Sequence, residues 1–388
     1  MESLLRWGIE NSVPASGDAS ELHQVAAEVA AGKRKDLLDP ALYEAIMGKS
    51  DAVLMKEAMA AATDKGNDVE QRIVALENFE MLVEQIDNAN NLEFLNFWAP
   101  LIELLIDPED EIRQHACWVC GTAVQNNAQA QNAFMKLNPL PTLLALISTV
   151  PAPSDLHLPA HVSKSSQATR SRAMYALSGT LKHNAYAIGR MDDHEGWGWQ
   201  VLKGGLSDPS MTIRRKTAFL LSTLLLLVAA PTSEFTLTFR PAPTTSNPTP
   251  RSSSTAVTLA PTQANEFPTD SSKATPSVPS PSYTSILKSF EAHGIPSVVL
   301  DSLRQADFPR AGADGDEPPA NEDPDYKEKA GRVLISLLEK NGLTEELKAE
   351  FGTYWLDVKK EQGGVEKAFE VGKEEAVEIE KLLSLQRS

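Results

Sequence analysis

The chain is poor in several features that other protein classes require. It has only two cysteines in 388 residues, so it cannot rest on a disulfide framework, and a reducing compartment is expected. Its 36 Lys and Arg residues are outnumbered by 53 Asp and Glu residues, which gives a formal net charge of −17. Because contacts with nucleic-acid phosphates and anionic lipids require clustered basic residues, this balance argues against both kinds of partner.

Long apolar runs are also missing. The longest extends from residue 218 to residue 230, and Ser222 and Thr223 interrupt it. A membrane-spanning helix needs about 20 apolar residues, so this run is interpreted as a buried helix of the fold. The first ten residues lack the basic start and apolar core of a signal peptide. We therefore expect a cytoplasmic protein with no membrane partner.

Motifs that carry catalytic chemistry are absent as well. The sequence contains no phosphate-binding loop, no GxSxG, no HExxH and no GxGxxG that opens a helix. Cys117 and Cys120 form a C-x-x-C, which in isolation could be a redox pair or half a zinc site. Both fall in the middle of a predicted helix without a second pair, which favours plain buried cysteines. We expect no enzymatic activity, no cofactor and no metal.

What is present is an apolar pattern that occurs five times. From Ile112 the apolar or small residues fall at offsets 0, 4, 7, 8, 11 and 12, which is the footprint of one buried helix face. Matching patterns start at Gln71, Thr169, Ile213 and Tyr326. A helical unit that repeats about every 40–47 residues is typical of armadillo and HEAT proteins. An ordinary helical bundle with similar periodicity is the alternative.

The repeats share further features. Four copies have an alanine at the second position and a basic residue three positions earlier: Arg72/Ala75, Arg113/Ala116, Arg170/Ala173 and Lys327/Ala330. The alanine predicts a close helix crossing, and the basic residue is predicted to lie outside the buried stripe, on a face open to water or a partner. Asp-Pro pairs at Asp107, Asp208 and Asp323 precede repeat helices and mark the start of a unit.

These patterns predict an all-α, armadillo- or HEAT-like right-handed α-solenoid with a long disordered insertion. Ten of the 25 prolines fall in the Ser- and Thr-rich stretch that forms this insertion, and such a composition cannot build a packed core. The expected parts are a flexible N-terminal segment (1–19), armadillo-like repeats (20–230), the insertion (231–283), a C-terminal armadillo-like repeat (284–360) and a charged C-terminal helix that caps the array (361–388).

Asparagines recur near the ends of the repeat helices. Asn127, Asn184 and Asn341 each lie 11 residues after a repeat alanine. They could cap the helices, or they could form a polar ladder on a concave surface that hydrogen-bonds a protein partner. The sequence leaves both interpretations open.

Five strings resemble the fungal Fes1 family. They are residues 1–12 (MESLLRWGIENS), 84–91 (EQIDNANN), 113–127 (RQHACWVCGTAVQNN), 172–184 (RAMYALSGTLKHN) and 214–221 (RRKTAFLL). The resemblance is dense over residues 1–227 and looser in the C-terminal part. It implies an armadillo-type nucleotide exchange factor of cytosolic Hsp70 with a role in protein folding and quality control. It also implies that the array embraces one lobe of the Hsp70 ATPase domain, so that ADP escapes, and that the N-terminal segment competes for the peptide groove of Hsp70.

On this reading, one set of residues is expected to contact the partner: Glu84, Asp87, Asn88, Asn127, His183, Asn184, Arg214 and Arg215. The release segment is expected to act through Leu4, Leu5 and Trp7, and the chain is expected to be a monomer. The alternative is a generic armadillo adaptor for a peptide or cargo. Peptide-carrying armadillos repeat Trp and Asn at one offset, whereas counting from the repeat alanines gives Tyr175, Leu220 and Arg332 as the equivalents of Trp118.

Overall fold

The computed structural model describes residues 49–228, 285–304, 322–361 and 363–385. The N-terminal segment (1–19), with Leu4, Leu5 and Trp7, and the insertion (231–283) lie outside the described residues. Within the described ranges the chain forms helices and contains no strand. No helix in these ranges is both long and apolar enough to span a lipid bilayer.

The helices are numbered here in chain order. They are α1 (Asp51–Thr63), α2 (Val69–Val83), α3 (Ile86–Phe94), α4 (Trp98–Leu104), α5 (Asp110–Val124), α6 (Ala128–Met135), α7 (Leu140–Ile147), α8 (Gln167–Leu181), α9 (Ala185–Gly189), α10 (Asp193–Gly205), α11 (Met211–Leu226), α12 (Ser285–Ala292), α13 (Ile295–Arg304), α14 (Pro324–Glu339), α15 (Glu345–Lys359), α16 (Gly364–Ala368) and α17 (Lys373–Leu382). Short 3₁₀ turns span Val162–Lys164 and Arg190–Asp192.

Five of the longer helices pack side by side and form the spine of the molecule. In order they are α2, α5, α8, α11 and α14, and each contacts the next. We call this set the inner row. Two shorter helices precede each of its last four members, so the unit of the fold is a triplet of helices stacked on its neighbour. The all-α solenoid predicted from the apolar pattern is confirmed.

The repeat alanines lie where the pattern predicts them. Ala116, Ala173 and Ala330 are fully buried, and Ala75 is nearly so. Gly121 of α5 and Gly179 of α8 are also in close contact with a neighbouring helix. A Cβ atom built on Gly179 would lie 3.0 Å from the Val124 side chain of α5. Small side chains therefore allow α5 and α8 to approach each other closely.

The prediction for the basic residue before each alanine was wrong for the first repeats. Arg113 is only 2% exposed, and Arg72 is also buried, so neither lies on an open face. The Arg72 Nη2 atom donates to the Asp107 carboxylate over 2.6 Å, and Arg113 Nη1 donates to the Asp107 carbonyl oxygen over 2.7 Å. The arginines thus hold the turn that begins the next repeat. Their hydrogen bonds offset the free-energy cost of removing the guanidinium charges from water.

The same arrangement occurs at the next Asp-Pro pair. Asp208 is fully buried, its carboxylate accepts from both terminal nitrogens of Arg170, and its carbonyl accepts from Arg214. The backbone N–H of Ser210 also donates to the Asp208 carboxylate over 2.9 Å. We call such a set an Arg–Asp clasp. In each clasp, the aspartate before an inner helix binds the arginine of the preceding inner helix and so joins the two repeats.

A third clasp joins α11 to α14. Arg215 donates to the Asp323 carboxylate, which also accepts from the backbone N–H of Tyr326 over 2.7 Å and so caps α14. Burial alone would raise the pKa of Asp323, but these hydrogen bonds and the charges of Arg215 and Lys329 lower it overall. The Asp-Pro pairs are therefore junction residues that connect consecutive repeats.

The junction between α5 and α8 lacks an Asp-Pro pair and is built differently. Asp110, in the first turn of α5, accepts from Arg113 over 2.6 Å, from the hydroxyl of Thr169 over 2.8 Å and from the backbone N–H of Ser166 over 3.1 Å. Burial would raise the pKa of Asp110, and these partners lower it overall. The long segment between α7 and α8 ends at this junction. The Asp110 carboxylate therefore binds residues of both α5 and the start of α8.

At the C-terminal end, Phe369 anchors the last helices to the inner row. Its ring is fully buried and stacks on Trp355, with ring centroids 5.4 Å apart. It also packs against Gly331 of α14, where a built Cβ atom would lie 2.2 Å from the ring. Helix α14 therefore needs a glycine at this position.

We expect Gly331→Ala to lower the free energy of unfolding by about 1–2 kcal/mol, because overpacking the Phe369 ring outweighs the better helix propensity of alanine. Gly352→Ala on α15 is the matched control. Its built Cβ meets only Leu385, at 3.5 Å, so the same exchange should be neutral or stabilising by about 0.5–1 kcal/mol. Urea denaturation of both variants measures the difference. Equal effects would contradict the packing described here.

Candidate protein-interaction face

The two asparagines Asn127 and Asn184 cap helices and do not form a surface ladder. Asn184 is 1% exposed and Asn127 is similarly buried. Their side-chain oxygens accept from the backbone N–H of Ala130 and Ala187, over 3.1 and 3.0 Å, at the start of α6 and α9. Their burial corrects the expectation that they offer hydrogen bonds to a partner. They cap the following helix and not the preceding repeat helix, because the residue before each has a positive φ angle and turns the chain.

We expect Asn184→Ala to lower the free energy of unfolding by about 1–2 kcal/mol, which is the typical effect of losing an N-cap. Asn184→Ser should retain most of the stability because its hydroxyl also accepts from a backbone N–H. Thermal unfolding measures both. At a temperature where all variants are folded, neither substitution should change the affinity for a partner, and an affinity loss without a stability loss would contradict the capping role.

Arg214 and Asn88 also differ from their expected role. Arg214 is fully buried and donates to the Asp208 carbonyl within the second clasp. Asn88 is buried, and its Nδ2 atom donates to the Leu82 carbonyl over 2.9 Å and to the Asp51 carboxylate over 2.8 Å. Both side chains therefore hold elements together and are not available for direct contact with a partner.

Four of the expected contact residues remain accessible. Glu84, Asp87 and His183 are exposed, at the ends of α2 and α8 and in the first turn of α3. Arg215 is half-exposed, although its guanidinium is already paired with Asp323. No direct contact between these residues defines a site, and they stay candidates.

The sequence prediction missed an aromatic row on the open side of the inner row. Trp118, Tyr175 and Phe219 each lie six positions after the residue that starts the apolar pattern of their repeat. Phe219 is 54% exposed, whereas Leu220, the expected equivalent of Trp118, is 1% exposed. The expected equivalence was wrong because it counted from Ala218, while the position that matches the other repeat alanines in α11 is occupied by Thr217.

Side chains from three helices meet around Trp118. The Arg172 guanidinium carbon of α8 lies 4.0 Å from the centre of the Trp118 ring, which is a cation–π contact. The His115 ring lies 6.2 Å from the Trp118 ring, and its Nε2 atom is 3.5 Å from the Glu77 carboxylate of α2. The neighbouring aromatic ring, that of Tyr175, fits against α5 because Gly121 has no Cβ atom, which would lie 2.4 Å from the ring.

The row continues onto α11 through a lysine. The Lys216 Nζ atom donates to the Ser171 hydroxyl over 2.7 Å and to the Ser171 carbonyl over 3.1 Å. Burial lowers the pKa of Lys216, and the charge of Arg172 lowers it further. We use the name inner face for the surface formed by Glu77, His115, Trp118, Arg172, Tyr175, Lys216 and Phe219. It is acidic on α2, aromatic in the middle and basic on α8 and α11.

The two cysteines are not placed for nucleophilic chemistry. Cys117 and Cys120 are fully buried, and burial raises the pKa of both thiols, so they are not activated nucleophiles. Across the residues that the structure describes, no three His, Cys, Asp or Glu side chains are grouped to hold a metal ion. Exposed aromatic and arginine side chains on a rigid scaffold are the features that dominate protein–protein contacts.

Comparison with known proteins identifies the family. The family described as "Nucleotide exchange factor Fes1" matches residues 1–92. The Hsp70 nucleotide exchange factor FES1 of Mycosarcoma maydis is 37% identical over 348 residues, which cover 87% of this chain and 83% of the relative. The protein of the same name from Cryptococcus neoformans is 33% identical over 331 residues, covering 84% and 73%.

A solved structure supports the fold. A designed armadillo repeat protein in complex with the peptide (KR)4 superimposes with a TM-score of 0.50 at 11% sequence identity, covering 85% of this chain and 99% of the designed one. The described helices thus have the armadillo arrangement. The two sequence relatives, 37% and 33% identical over 87% and 84% of this chain, show that the chain belongs to the FES1 family of Hsp70 nucleotide exchange factors.

Proposed function

We propose that this chain is a nucleotide exchange factor of cytosolic Hsp70, that its inner face binds the Hsp70 ATPase domain, and that it acts by binding and not by covalent chemistry. Membership of the FES1 family supports the exchange function. The observation that carries the proposed surface is the aromatic row. It presents Trp118, Tyr175 and Phe219 on the open side of three consecutive repeats.

The inner face has the composition of a protein-binding surface. Trp, Tyr and Arg dominate binding energy at interfaces because each presents a large area with little loss of conformational entropy. Glu77 of α2 and the basic pair Arg172 and Lys216 give the face two ends of opposite charge. Such a charge pattern fixes the orientation of a partner and accelerates its association.

Exchange follows from selective binding. A partner domain that opens and closes around ADP is shifted toward its open form by any protein that binds the open form more tightly. The shift cannot exceed the difference in affinity for the two forms. By thermodynamic linkage, bound ADP lowers the affinity of the ATPase domain for this chain. The factor is the same as that by which the bound chain lowers its affinity for ADP. The packed helices of the inner row suit this role because a surface shaped for the open form fits the closed form less well.

We propose a separate role for each part of the chain. Residues 20–230 and 284–360 form the repeat array, 231–283 are an insertion, and 361–388 cap the C-terminal end. Residues 1–19 act as a release segment that enters the peptide groove of Hsp70, with Leu4, Leu5 and Trp7 as its apolar contacts. Glu84 and His183, at the ends of α2 and α8, and Asp87, in the first turn of α3, add contacts around the inner face.

The test is stopped-flow release of labelled ADP from cytosolic Hsp70 with and without the full chain. Micromolar chain should accelerate release at least about tenfold, corresponding to roughly 1.4 kcal/mol of preferential binding to the open form. Unchanged release at saturating chain would contradict the exchange function. Binding without acceleration would favour the alternative of a generic armadillo adaptor.

The release segment is tested separately. The double variant Leu4→Asp/Leu5→Asp should slow the release of a labelled peptide substrate from Hsp70, because a peptide groove for apolar side chains rejects carboxylates. ADP release should stay as fast as with the unmodified chain, since the inner face is intact. Unchanged peptide release would remove this segment from the mechanism.

A further inference from the structure

Arg172 of α8 differs from the other arginines of the repeat array because it has no acidic partner. Among the described residues, no hydrogen bond or ion pair to its guanidinium occurs. The described arginines that form ion pairs with carboxylates are Arg72, Arg113, Arg170, Arg190, Arg215, Arg304 and Arg332. A further one, Arg214, donates to the Asp208 carbonyl within a clasp. The fold therefore pairs its structural arginines and leaves the donors of Arg172 without an acceptor from these repeats.

The contact with Trp118 positions the guanidinium without supplying a hydrogen-bond acceptor. The guanidinium carbon lies 4.0 Å from the centre of the Trp118 ring. An indole attracts a cation through the face of its ring, and its nitrogen can only donate. The five N–H donors of the guanidinium therefore remain available for another group. A donor fork that is already held in place loses less entropy when it binds an acceptor.

The acidic side chains on the adjacent part of α2 have other partners. The Glu77 carboxylate lies 3.5 Å from the Nε2 atom of His115. Glu80 is buried, and its carboxylate accepts a hydrogen bond from the Thr122 hydroxyl of α5 over 2.6 Å. Neither carboxylate forms an ion pair with Arg172. The described repeats thus offer no carboxylate within ion-pairing distance of this arginine.

A second cation lies beside Arg172. The Lys216 Nζ atom donates to the hydroxyl and the carbonyl of Ser171, the residue directly before Arg172, over 2.7 and 3.1 Å. Besides burial, the charge of Arg172 lowers the pKa of Lys216, so the two cations repel each other. Within the described ranges Lys216 has no carboxylate partner either. Two adjacent cations without an anion, in a chain of net charge −17, are complementary to an acidic group of a partner.

The last repeat shows how an arginine on this side of the inner row binds an acidic segment. Arg332 of α14 lies six positions after Tyr326, which is the offset of the aromatic row. Its Nη1 atom donates to the Glu375 carboxylate of α17, and its Nη2 atom donates to the Glu370 carbonyl. The chain itself therefore contains an acidic segment that lies across the inner row and binds a guanidinium there through two of its nitrogens.

We propose that Arg172 binds a carboxylate of the Hsp70 ATPase domain and so fixes the orientation of that domain on the inner face. Trp118 holds the guanidinium in position, and the guanidinium N–H groups donate to both oxygens of the carboxylate. Lys216 adds positive charge beside this pair. The inference rests on the proposed function and adds the chemical class of the group that the partner presents to α8.

Isothermal titration of the Hsp70 ATPase domain with the full chain, Arg172→Gln and Arg172→Lys tests this role. Arg172→Gln should weaken binding about 30-fold, which is typical of the loss of a charge-assisted pair. Arg172→Lys keeps the charge but lacks the planar fork, so it should bind about tenfold more weakly than the unmodified chain. Added salt should weaken binding of the unmodified chain more steeply than binding of Arg172→Gln.

Arg304→Gln is the matched control. Arg304 ends α13, outside the inner row, and its exposed guanidinium pairs with Glu350 over 2.6 Å. The control should bind the ATPase domain like the unmodified chain. Thermal unfolding of all variants is followed in parallel. Because Arg172 makes no hydrogen bond or ion pair within the described repeats, Arg172→Gln should unfold at nearly the same temperature as the unmodified chain.

A double-mutant cycle identifies the carboxylate on the partner. The acidic residues of the ATPase domain are replaced one at a time by the corresponding amide. One replacement should weaken binding to the unmodified chain but cause no further loss with Arg172→Gln, because both changes remove the same pair. Additive losses for every acidic residue would show that Arg172 contacts no carboxylate of the partner.

The outcomes separate the two proposals. If the ATPase domain binds Arg172→Gln as tightly as the unmodified chain, or if this variant loses stability together with affinity, the role of Arg172 is wrong while the proposed function stands. Full affinity of Arg172→Lys would contradict recognition by the donor fork. If the unmodified chain does not bind the ATPase domain, the proposed function and this inference both fail.

Discussion

Asp208→Ala is expected to lower the free energy of unfolding by about 3–5 kcal/mol, because it leaves buried guanidinium charge without its carboxylate. Asp208 is fully buried and Arg170 is mostly so. The same carboxylate also accepts the Ser210 backbone N–H, which would lose its partner. The midpoint of urea unfolding should fall clearly, and the α8–α11 junction should open first.

An exposed ion pair provides the control. Asp357 of α15 and Lys360, directly after this helix, pair over 2.9 Å, and both side chains are largely in solvent. Exposed pairs of this kind contribute about 0–1 kcal/mol, so Asp357→Ala should leave unfolding nearly unchanged. If Asp208→Ala behaves like this control, the clasps do not hold the repeats together.

Trp118→Ala is expected to weaken binding to the Hsp70 ATPase domain by about 30-fold or more, which corresponds to the loss of one interface hot spot of roughly 2 kcal/mol. The ring is only partly buried, so its removal should affect folding much less than binding. The variant also deprives Arg172 of its cation–π contact. Isothermal titration measures the affinity, and thermal unfolding shows that the variant is folded.

Phe94 offers a matched control on another part of the molecule. It is 83% exposed at the end of α3, which does not belong to the inner row. If the inner face is the binding surface, Phe94→Ala leaves the affinity unchanged. A similar loss for both variants, or a loss only for Phe94→Ala, would place the contact elsewhere.

The fold could be predicted from the sequence because helical periodicity reports burial directly. The offsets counted from Ile112 gave the inner helices and the alanines at their crossings. The same pattern gave a wrong prediction of exposure for Arg72 and Arg113. It shows which face of a helix is apolar, but it does not show which other segments pack against the polar face. The Asp-Pro turn that buries Arg72 is 35 residues away, at Asp107.

The interaction face could be predicted only in part. Asn127 and Asn184 recur at a regular spacing in the sequence. Asparagines that cap helices and asparagines that bind a partner would have the same spacing, so the sequence could not distinguish the two roles. The aromatic row was hidden because the alanine of α11 is shifted by one residue, which moved the count from Phe219 to Leu220. Counting from the residue that starts each apolar pattern would have found it.

Glu80 shows a further limit. Nothing in the sequence distinguishes this glutamate from the other acidic residues of α2, since its burial depends on Thr122, which lies 42 residues later. Properties that arise between stacked units are set by the distances between helices, which periodicity alone does not contain.

Site-specific photo-crosslinking tests the central claim most directly. A benzophenone amino acid replaces either Phe219 on the inner face or Phe94 on α3, and each chain is irradiated in the presence of the Hsp70 ATPase domain. The account predicts a covalent product from position 219 that ADP diminishes, and none from position 94. A product from position 94 alone would show that Hsp70 binds a different surface.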